Sequence, residues 1–141
     1  MNSSLIFGII CLLGALITAK ADMNDLIDTI KVCHETYPTS TTEVEKFVYD
    51  KTAEFGQVFK CHVKCVLEKE SAFKNGKFDD QAFIKFSQEI PSLKNRHADV
   101  VKAAEECKNQ NGTNECETAY KTAKCLMNHD VVMFLETSKK A

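Results

Sequence analysis

The chain has 141 residues, a formal net charge of −2 and 44 % hydrophobic residues, a length that suits a single domain. Its 18 basic and 20 acidic residues leave no strong basic patch, which argues against nucleic acid and anionic membrane surfaces as partners. Only five Gly and two Pro are present, too few for most β folds with many tight turns.

The first 21 residues have the pattern of a secretory signal peptide. Residues 5–17 are almost continuously apolar and precede Ala19-Lys20-Ala21, a small-residue cleavage pattern. This run is too short to span a bilayer comfortably, and the alternative of an N-terminal anchor lacks stop-transfer charges. We therefore predict a secreted, extracellular domain over residues 22–141 without stable membrane association. Its 17 basic and 20 acidic residues give a net charge of −3.

Apolar residues then recur at helical spacing, and Asp22 is placed to cap a first helix. The apolar stripe of this helix contains Met23, Leu26, Ile27, Ile30 and Cys33. Tyr37-Pro38 interrupts the pattern, and Ser40 with Glu43 three positions later forms a capping box for a second helix. Its inward residues are predicted to be Val44, Phe47 and Val48.

Gly56 separates this helix from a third, whose apolar side carries Phe55, Phe59, Val63 and Val66. Asn75-Gly76 predicts a turn, and Asp79 or Asp80 can cap a short fourth helix. The apolar residues of this fourth helix are Phe83, Ile84 and Phe86, and Pro91 ends it.

A fifth and a sixth helix complete the predicted domain. The fifth starts near Pro91 and presents Leu93, His97, Val100, Val101, Ala104 and Cys107. A polar loop over residues 108–114 precedes the sixth, which presents Cys116, Ala119, Tyr120, Ala123 and Met127. Val131–Leu135 form an apolar tail, and no strand is predicted. The sequence thus indicates an all-α domain of about six helices.

Removal of the signal peptide also removes Cys11, and six cysteines remain, a number that predicts three disulfides in an exported chain. They are Cys33, Cys61, Cys65, Cys107, Cys116 and Cys125. On a helix, Cys61 and Cys65 lie one above the other and should bond to different partners. Cys116 and Cys125 lie on opposite sides of a continuous helix and should not bond to each other. These two exclusions still leave several pairings open.

The cysteine spacing provides the most specific motif in the sequence. Successive cysteines are separated by 27, three, 41, eight and eight residues, and the motif extends over almost all of residues 22–141. This spacing resembles the six-cysteine signature of the insect odorant-binding proteins, which include the pheromone and general odorant-binding proteins. The resemblance implies helices around an apolar cavity, with three interlocked disulfides. The implied bridges are Cys33–Cys65, Cys61–Cys116 and Cys107–Cys125.

The resemblance also implies a non-enzymatic carrier that transports small hydrophobic ligands such as odorants, pheromones or fatty acids. We expect no cofactor and no metal, a monomer or weak homodimer, and a chemosensory receptor as a further partner. The candidate ligand-contacting residues are Phe55, Phe59, Val63, Phe83, Phe86, Val101, Tyr120 and Leu126. Phe134 and Leu135 in the tail are expected to form a wall or lid of the cavity.

Polar side chains could orient a ligand head group or make its release depend on pH. Tyr120, His62, His97 and Arg96 are candidates for the first role. The four histidines, His34, His62, His97 and His129, titrate near neutral pH and are candidates for the second.

Other functions have weaker support in the sequence. A secreted, hormone-like helical protein with a solid core is the main alternative, and a saposin-type protein has different cysteine spacing. Zinc binding by Cys61-His62 and Cys65 together with Cys33-His34 competes with disulfide formation in an exported chain. His129-Asp130 is similar to the histidine motif of secreted phospholipases, but the sequence lacks the glycine-rich calcium loop of those enzymes. Asn111-Gly112-Thr113 is a sequon that predicts N-glycosylation of Asn111.

Overall fold

A computed structural model describes residues 27–131 of the chain. The predicted signal peptide, the expected cap Asp22, and the tail residues Phe134 and Leu135 lie outside the described residues. None of the helices from residue 27 to residue 131 combines the length and the apolar character needed to cross a bilayer.

The described chain forms six helices and one small hairpin, in agreement with the predicted all-α class. Helix α1 covers residues 27–36. It is followed by α2 (Thr41–Tyr49), α3 (Gln57–Lys69), α4 (Asp80–Ser87), α5 (His97–Cys107) and α6 (Glu115–Asn128). Between α3 and α4, strands β1 (Phe73–Lys74) and β2 (Lys77–Phe78) pair antiparallel.

Helices α2, α4 and α6 begin where a side chain supplies an acceptor for a free N–H group of the first turn. The Ser40 hydroxyl accepts from the Glu43 N–H at 3.0 Å, and the Glu43 carboxylate accepts from the Ser40 N–H, which confirms the predicted capping box. Asp79 rather than Asp80 caps α4 by accepting from the Ala82 N–H at 3.0 Å. Asn114, which we did not predict as a cap, accepts from the Glu117 N–H at the start of α6.

The hairpin was not predicted, although its turn was. Asn75 and Gly76 both have positive φ angles, 53° and 75°, as a two-residue hairpin turn requires. Each strand has only two residues, too few to produce an alternating apolar pattern. A Cβ atom at Gly76 would lie 2.8 Å from the Glu115 carboxylate, so glycine also allows this turn to pack closely against α6.

The three disulfides join the helices in the pairing that the resemblance implied. Cys33–Cys65 links α1 to α3, Cys61–Cys116 links α3 to α6, and Cys107–Cys125 links α5 to α6. The pair α3 and α6 has the most extensive helix–helix contact in the described chain. These two helices therefore form the centre to which α1 and α5 are covalently attached.

Helix α5 differs from its prediction in its start and in its orientation. It begins at His97, six residues after Pro91, and the intervening residues form turns in which Leu93 is buried. Val100 is fully buried, whereas Val101 is 39 % exposed and His97 is exposed. The predicted inward position of Val101 is wrong, because adjacent residues on a helix diverge by about 100° and Val100 takes the inward direction. The predicted inward position of His97 is also wrong, since His97 is the first residue of α5 and is exposed at the end of the helix.

Candidate ligand-binding site

Four aromatic rings meet where α2, the loop before α3, α3 and α6 come together. We call Phe47, Phe55, Phe59 and Tyr120 the aromatic cluster. Phe55 stacks on Phe59 with ring centroids 4.4 Å apart, although Phe55 precedes the first residue of α3. The rings of Phe55 and Tyr120 are 5.9 Å apart. These contacts concentrate apolar, polarisable surface from four parts of the chain in one region.

Phe47 lies at the centre of the aromatic cluster. Its ring centroid is 5.2 Å from that of Phe59, 5.7 Å from Phe55 and 5.6 Å from Tyr120. It is the buried residue of α2, and Val44 and Val48 pack beside it while remaining partly exposed. The attachment of α2 to the rest of the domain therefore depends strongly on this one side chain.

A crevice opens from the aromatic cluster to solvent. Its apolar lining consists of Phe47, Val48, Ala53, Phe55, Tyr120 and Met127. Its polar lining consists of Asp50, Lys51, Lys124, Asn128 and Asp130. The crevice has a volume of about 60 Å³, well below the roughly 300–1,000 Å³ of typical small-molecule pockets. In this conformation it admits only a small part of a ligand.

A larger and more open groove lies on the other side of Lys124 and Asn128. This polar groove has a volume of about 480 Å³. Its lining consists of Gln110, Asn111, Lys121, Lys124, Cys125, Asn128 and His129. Lys124 and Asn128 line both spaces. They are four residues apart on α6, so they form a boundary between an apolar crevice and a cationic, amide-lined groove.

The structure brings together only some of the predicted ligand-contacting residues. Phe55, Phe59 and Tyr120 belong to the aromatic cluster, and Val63 and Leu126 are each only 1 % exposed in the core. Phe83 instead packs its ring against Phe78 of the hairpin at 5.5 Å. Phe86 is half-buried against the core, and Val101 has the exposed position described above. Ligand contact by any of these residues stays a prediction.

His62 is buried between α3 and the loop after α1, and only 2 % of its surface is exposed. Its Nδ1 atom lies 3.2 Å from the carbonyl oxygen of Tyr37, and its ring lies against that of Phe59. Burial lowers the pKa of this imidazole below its usual value, while the Cys33 and Tyr37 carbonyls act in the opposite direction. Burial therefore favours the neutral form of His62, and its contacts keep the ring inside the fold.

The lowered pKa of His62 predicts a loss of stability in mild acid. As the pH falls below about 6.5, the unfolded chain binds a proton on this residue before the folded protein does. The free energy of unfolding should therefore decrease from pH 7.5 towards pH 5.5 and become independent of this group below its folded pKa. Urea unfolding should show a smaller decrease for His62→Gln, and an equal decrease in both proteins would contradict the assignment.

The other residues that we proposed as head-group partners are engaged elsewhere. Arg96 donates to the Asp130 carbonyl oxygen at 2.8 Å and pairs with Asp99. The Nδ1 atom of His97 lies near the amide of Gln88. Lys124, which lies at the boundary between the crevice and the groove, was not among the head-group partners proposed from the sequence.

The six cysteines within residues 27–131 are all in disulfides and offer no thiolate to a metal ion. Within residues 27–131, the one group with suitable ligand spacing is Cys107, Cys125 and His129. Both of these cysteines are in a disulfide, and the His129 Nε2 atom lies 2.9 Å from the Glu106 carboxylate. Cys33, Cys61 and Cys65, which suggested zinc in the sequence, are also disulfide-bonded.

Comparison with known proteins gives a consistent result. A model of the PBP/GOBP family matches residues 17–129. The fold is similar to the odorant-binding protein dmelOBP28a from Drosophila melanogaster, with a TM-score of 0.62 and 17 % sequence identity over 79 % of this chain and 93 % of that one. It is also similar to OBP56a, a fatty acid binding protein from the oral disk of the blowfly Phormia regina. That comparison has a TM-score of 0.59 and 20 % identity over 77 % of this chain and 90 % of that one. No curated protein matches this sequence significantly.

Proposed function

We propose, starting from the fact that this chain belongs to the PBP/GOBP family, that it is a secreted carrier for small hydrophobic molecules. The observation that carries the proposal is the aromatic cluster, which reaches solvent through an apolar crevice. Concave apolar sites with a few polar groups at the boundary are typical of ligand-binding proteins. Two structural neighbours are named as an odorant-binding and a fatty acid binding protein, which supports the same class of ligand.

Ligand binding must enlarge the crevice, because about 60 Å³ is too small for a whole ligand. We propose that Phe55, Val48 and Met127 move to provide this space. All three line the crevice and are half-buried, so their displacement breaks fewer contacts than displacement of the buried Phe59. Tyr120 and Phe47 then supply the surface against which the ligand lies.

The described chain ends beside the same site, at the start of the apolar tail. Asp130 lines the crevice, and the next residue, Val131, is fully buried and ends the described chain. An extended residue spans about 3.3 Å, so Phe134 and Leu135 are within roughly 15 Å of Val131. We propose that these two side chains cover the crevice when a ligand is bound, which agrees with the expectation from the sequence.

A displacement assay tests the carrier function. The oxidised protein should bind the hydrophobic dye N-phenyl-1-naphthylamine at one saturable site, and dodecan-1-ol should displace it. Phe55→Ala should weaken binding of the dye by about tenfold, because the Phe55 ring, once it has moved aside, still forms a large part of the apolar wall in contact with the ligand. Absence of saturable binding would reject the carrier function and favour the solid-core interaction protein.

Phe78→Ala provides a matched control for Phe55→Ala. Both phenylalanines are half-buried, but Phe78 lies in the hairpin against Phe83 and does not line the crevice. We expect Phe78→Ala to leave the affinity for the dye nearly unchanged. Weaker binding in Phe78→Ala but not in Phe55→Ala would place the ligand near Phe83 instead.

Removal of residues 132–141 tests the role of the tail separately. This truncation keeps the buried Val131, so the helical content should remain largely intact. We expect weaker binding of the same dye, because the crevice loses its apolar cover. Unchanged affinity would exclude the tail as a lid without affecting the carrier function.

Secretion, transport towards a chemosensory receptor and glycosylation belong to the same proposal. Asn111 and Thr113 of the sequon are exposed in the loop between α5 and α6, which is compatible with modification. Asn111 also lines the polar groove, so a glycan there would stand beside the proposed ligand site.

A further inference from the structure

We infer that the polar groove selects amphiphilic ligands with an anionic head group, and that Lys124 is the residue that recognises this group. The inference rests on the proposed function, because it assumes that the apolar part of the ligand occupies the crevice. It adds a preference for an anionic head group and the residue that determines this preference.

Lys124 differs from the other lysines of comparable burial. Three lysines are half-buried in the described part of the chain: Lys60, Lys64 and Lys124. Lys60 pairs with Glu117, and Lys64 pairs with Glu115 at 2.9 Å. Within residues 27–131, Lys124 forms no ion pair with a carboxylate, although its Nζ atom lies 5.8 Å from the centre of the Tyr120 ring. A half-buried cation without an anionic partner gains more from a ligand anion than a fully solvated one.

Lys124 lies between the crevice, which suits the apolar chain of an amphiphile, and the polar groove, which suits its head group. Its ammonium group lies over the Tyr120 ring of the aromatic cluster, while its side chain also lines the polar groove. An alkyl chain in the crevice would therefore end beside this ammonium group. The groove, at about 480 Å³, has room for a hydrated head group even though the crevice is narrow.

The charges of the polar groove favour an anion. Its lining contains two lysines and no carboxylate, and Lys121 already donates to the Asn111 carbonyl oxygen at 3.2 Å. The Asn128 amide supplies a further hydrogen-bond donor next to Lys124. His129 also lines the groove, and its Nε2 atom is engaged by Glu106. A carboxylate or phosphate in the groove would thus meet donors and positive charge.

Two carboxylates line the crevice, and their negative charge opposes the binding of an anion there. Asp50 accepts hydrogen bonds from the Thr52 hydroxyl at 2.7 Å and from the Thr52 N–H at 3.0 Å, which compensate part of its charge. Asp130 lies beside Arg96, which donates to the Asp130 carbonyl oxygen. Both belong to the crevice and not to the polar groove, so the groove remains the favourable place for an anionic group.

Ligands with the same chain and different head groups test the inference. We compare dodecanoate, dodecyl phosphate and dodecan-1-ol by displacement of N-phenyl-1-naphthylamine at pH 8. The unmodified protein should bind at least one of the anions more tightly than the alcohol. Lys124→Gln should weaken binding of that anion by about tenfold more than binding of the alcohol, because it removes one charge-assisted contact that only the anion makes. Loss for both anions indicates recognition of charge, and loss for dodecanoate alone narrows the class to carboxylates.

Two further variants distinguish the effect of the Lys124 charge on ligand affinity from the effect of removing any surface lysine. Lys124→Arg keeps the positive charge and should retain most of the preference for the anion. Lys102→Gln removes an exposed lysine of α5 that lies outside both spaces and should change nothing. Equal affinities for all three ligands, or an unchanged anion preference in Lys124→Gln, would overturn the inference while leaving the carrier function intact. If neither the dye nor any of the three ligands binds, the proposed function itself fails.

Discussion

Replacing Cys61 and Cys116 together by serine is expected to lower the free energy of unfolding by roughly 4 kcal/mol. This bridge joins residues 55 positions apart, and in the chain-entropy description the cost of losing a cross-link rises with the logarithm of this separation. It also fastens α3 to α6, the two helices with the most extensive contact. Urea unfolding of the oxidised proteins, monitored by far-ultraviolet circular dichroism, measures the difference.

The double substitution of Cys107 and Cys125 is the matched comparison. It also removes one disulfide of α6, but the bridged residues are only 18 positions apart. The same description predicts a loss of roughly 3 kcal/mol. A larger loss for this second pair would show that local packing around the bridges, and not the length of the closed loop, determines their contribution.

The second large effect is expected for Phe47→Ala, which should destabilise the protein by about 3–5 kcal/mol. The change removes the ring that contacts Phe55, Phe59 and Tyr120 and leaves a cavity at the centre of the aromatic cluster. Because Phe47 is the buried residue of α2, the loss should also detach this helix from the domain. Equilibrium urea unfolding gives the free energy, and hydrogen exchange of the α2 amides reports the detachment.

Two other substitutions in α2 provide reference values for the loss of unfolding free energy in Phe47→Ala. Phe47→Leu keeps an apolar side chain and should cost less than half as much, because the leucine fills part of the space. Thr42→Ala changes an exposed position of α2 and should alter the free energy by no more than about 0.5 kcal/mol. A loss for Phe47→Ala no greater than that for Thr42→Ala would mean that the aromatic cluster does not hold α2 in place.

Much of the fold could be predicted because its signals are local. Three examples are the Ser40 and Glu43 capping box, the Asn75-Gly76 turn and the helical spacing of apolar residues around Phe59. Each involves residues that are close together in the sequence. The disulfide pairing required more than this, since helix geometry left several pairings open and the family spacing supplied the answer that the structure confirms.

The candidate site was less predictable. Phe55, Phe59 and Tyr120 were proposed from their residue types, but Phe83 was proposed for the same reason and packs against the hairpin instead. Val101 lies 39 % exposed, because helical spacing defines a stripe about two residues wide and does not say which edge faces inward. Lys124 carried no signal in the sequence, as one lysine among many on a polar helix.

By itself, the sequence of this protein determined about six helices, the capping box of the second helix and the positions of the cysteines, because these features depend on contacts between near neighbours and on a recurring spacing. Only the tertiary structure decided which side chains meet across long stretches of chain. Phe47 of α2 and Tyr120 of α6 touch although they are far apart in the sequence, and Lys124 lies between an apolar crevice and a cationic groove. Such long-range contacts depend on how whole helices pack against one another, and a local sequence pattern does not specify this packing.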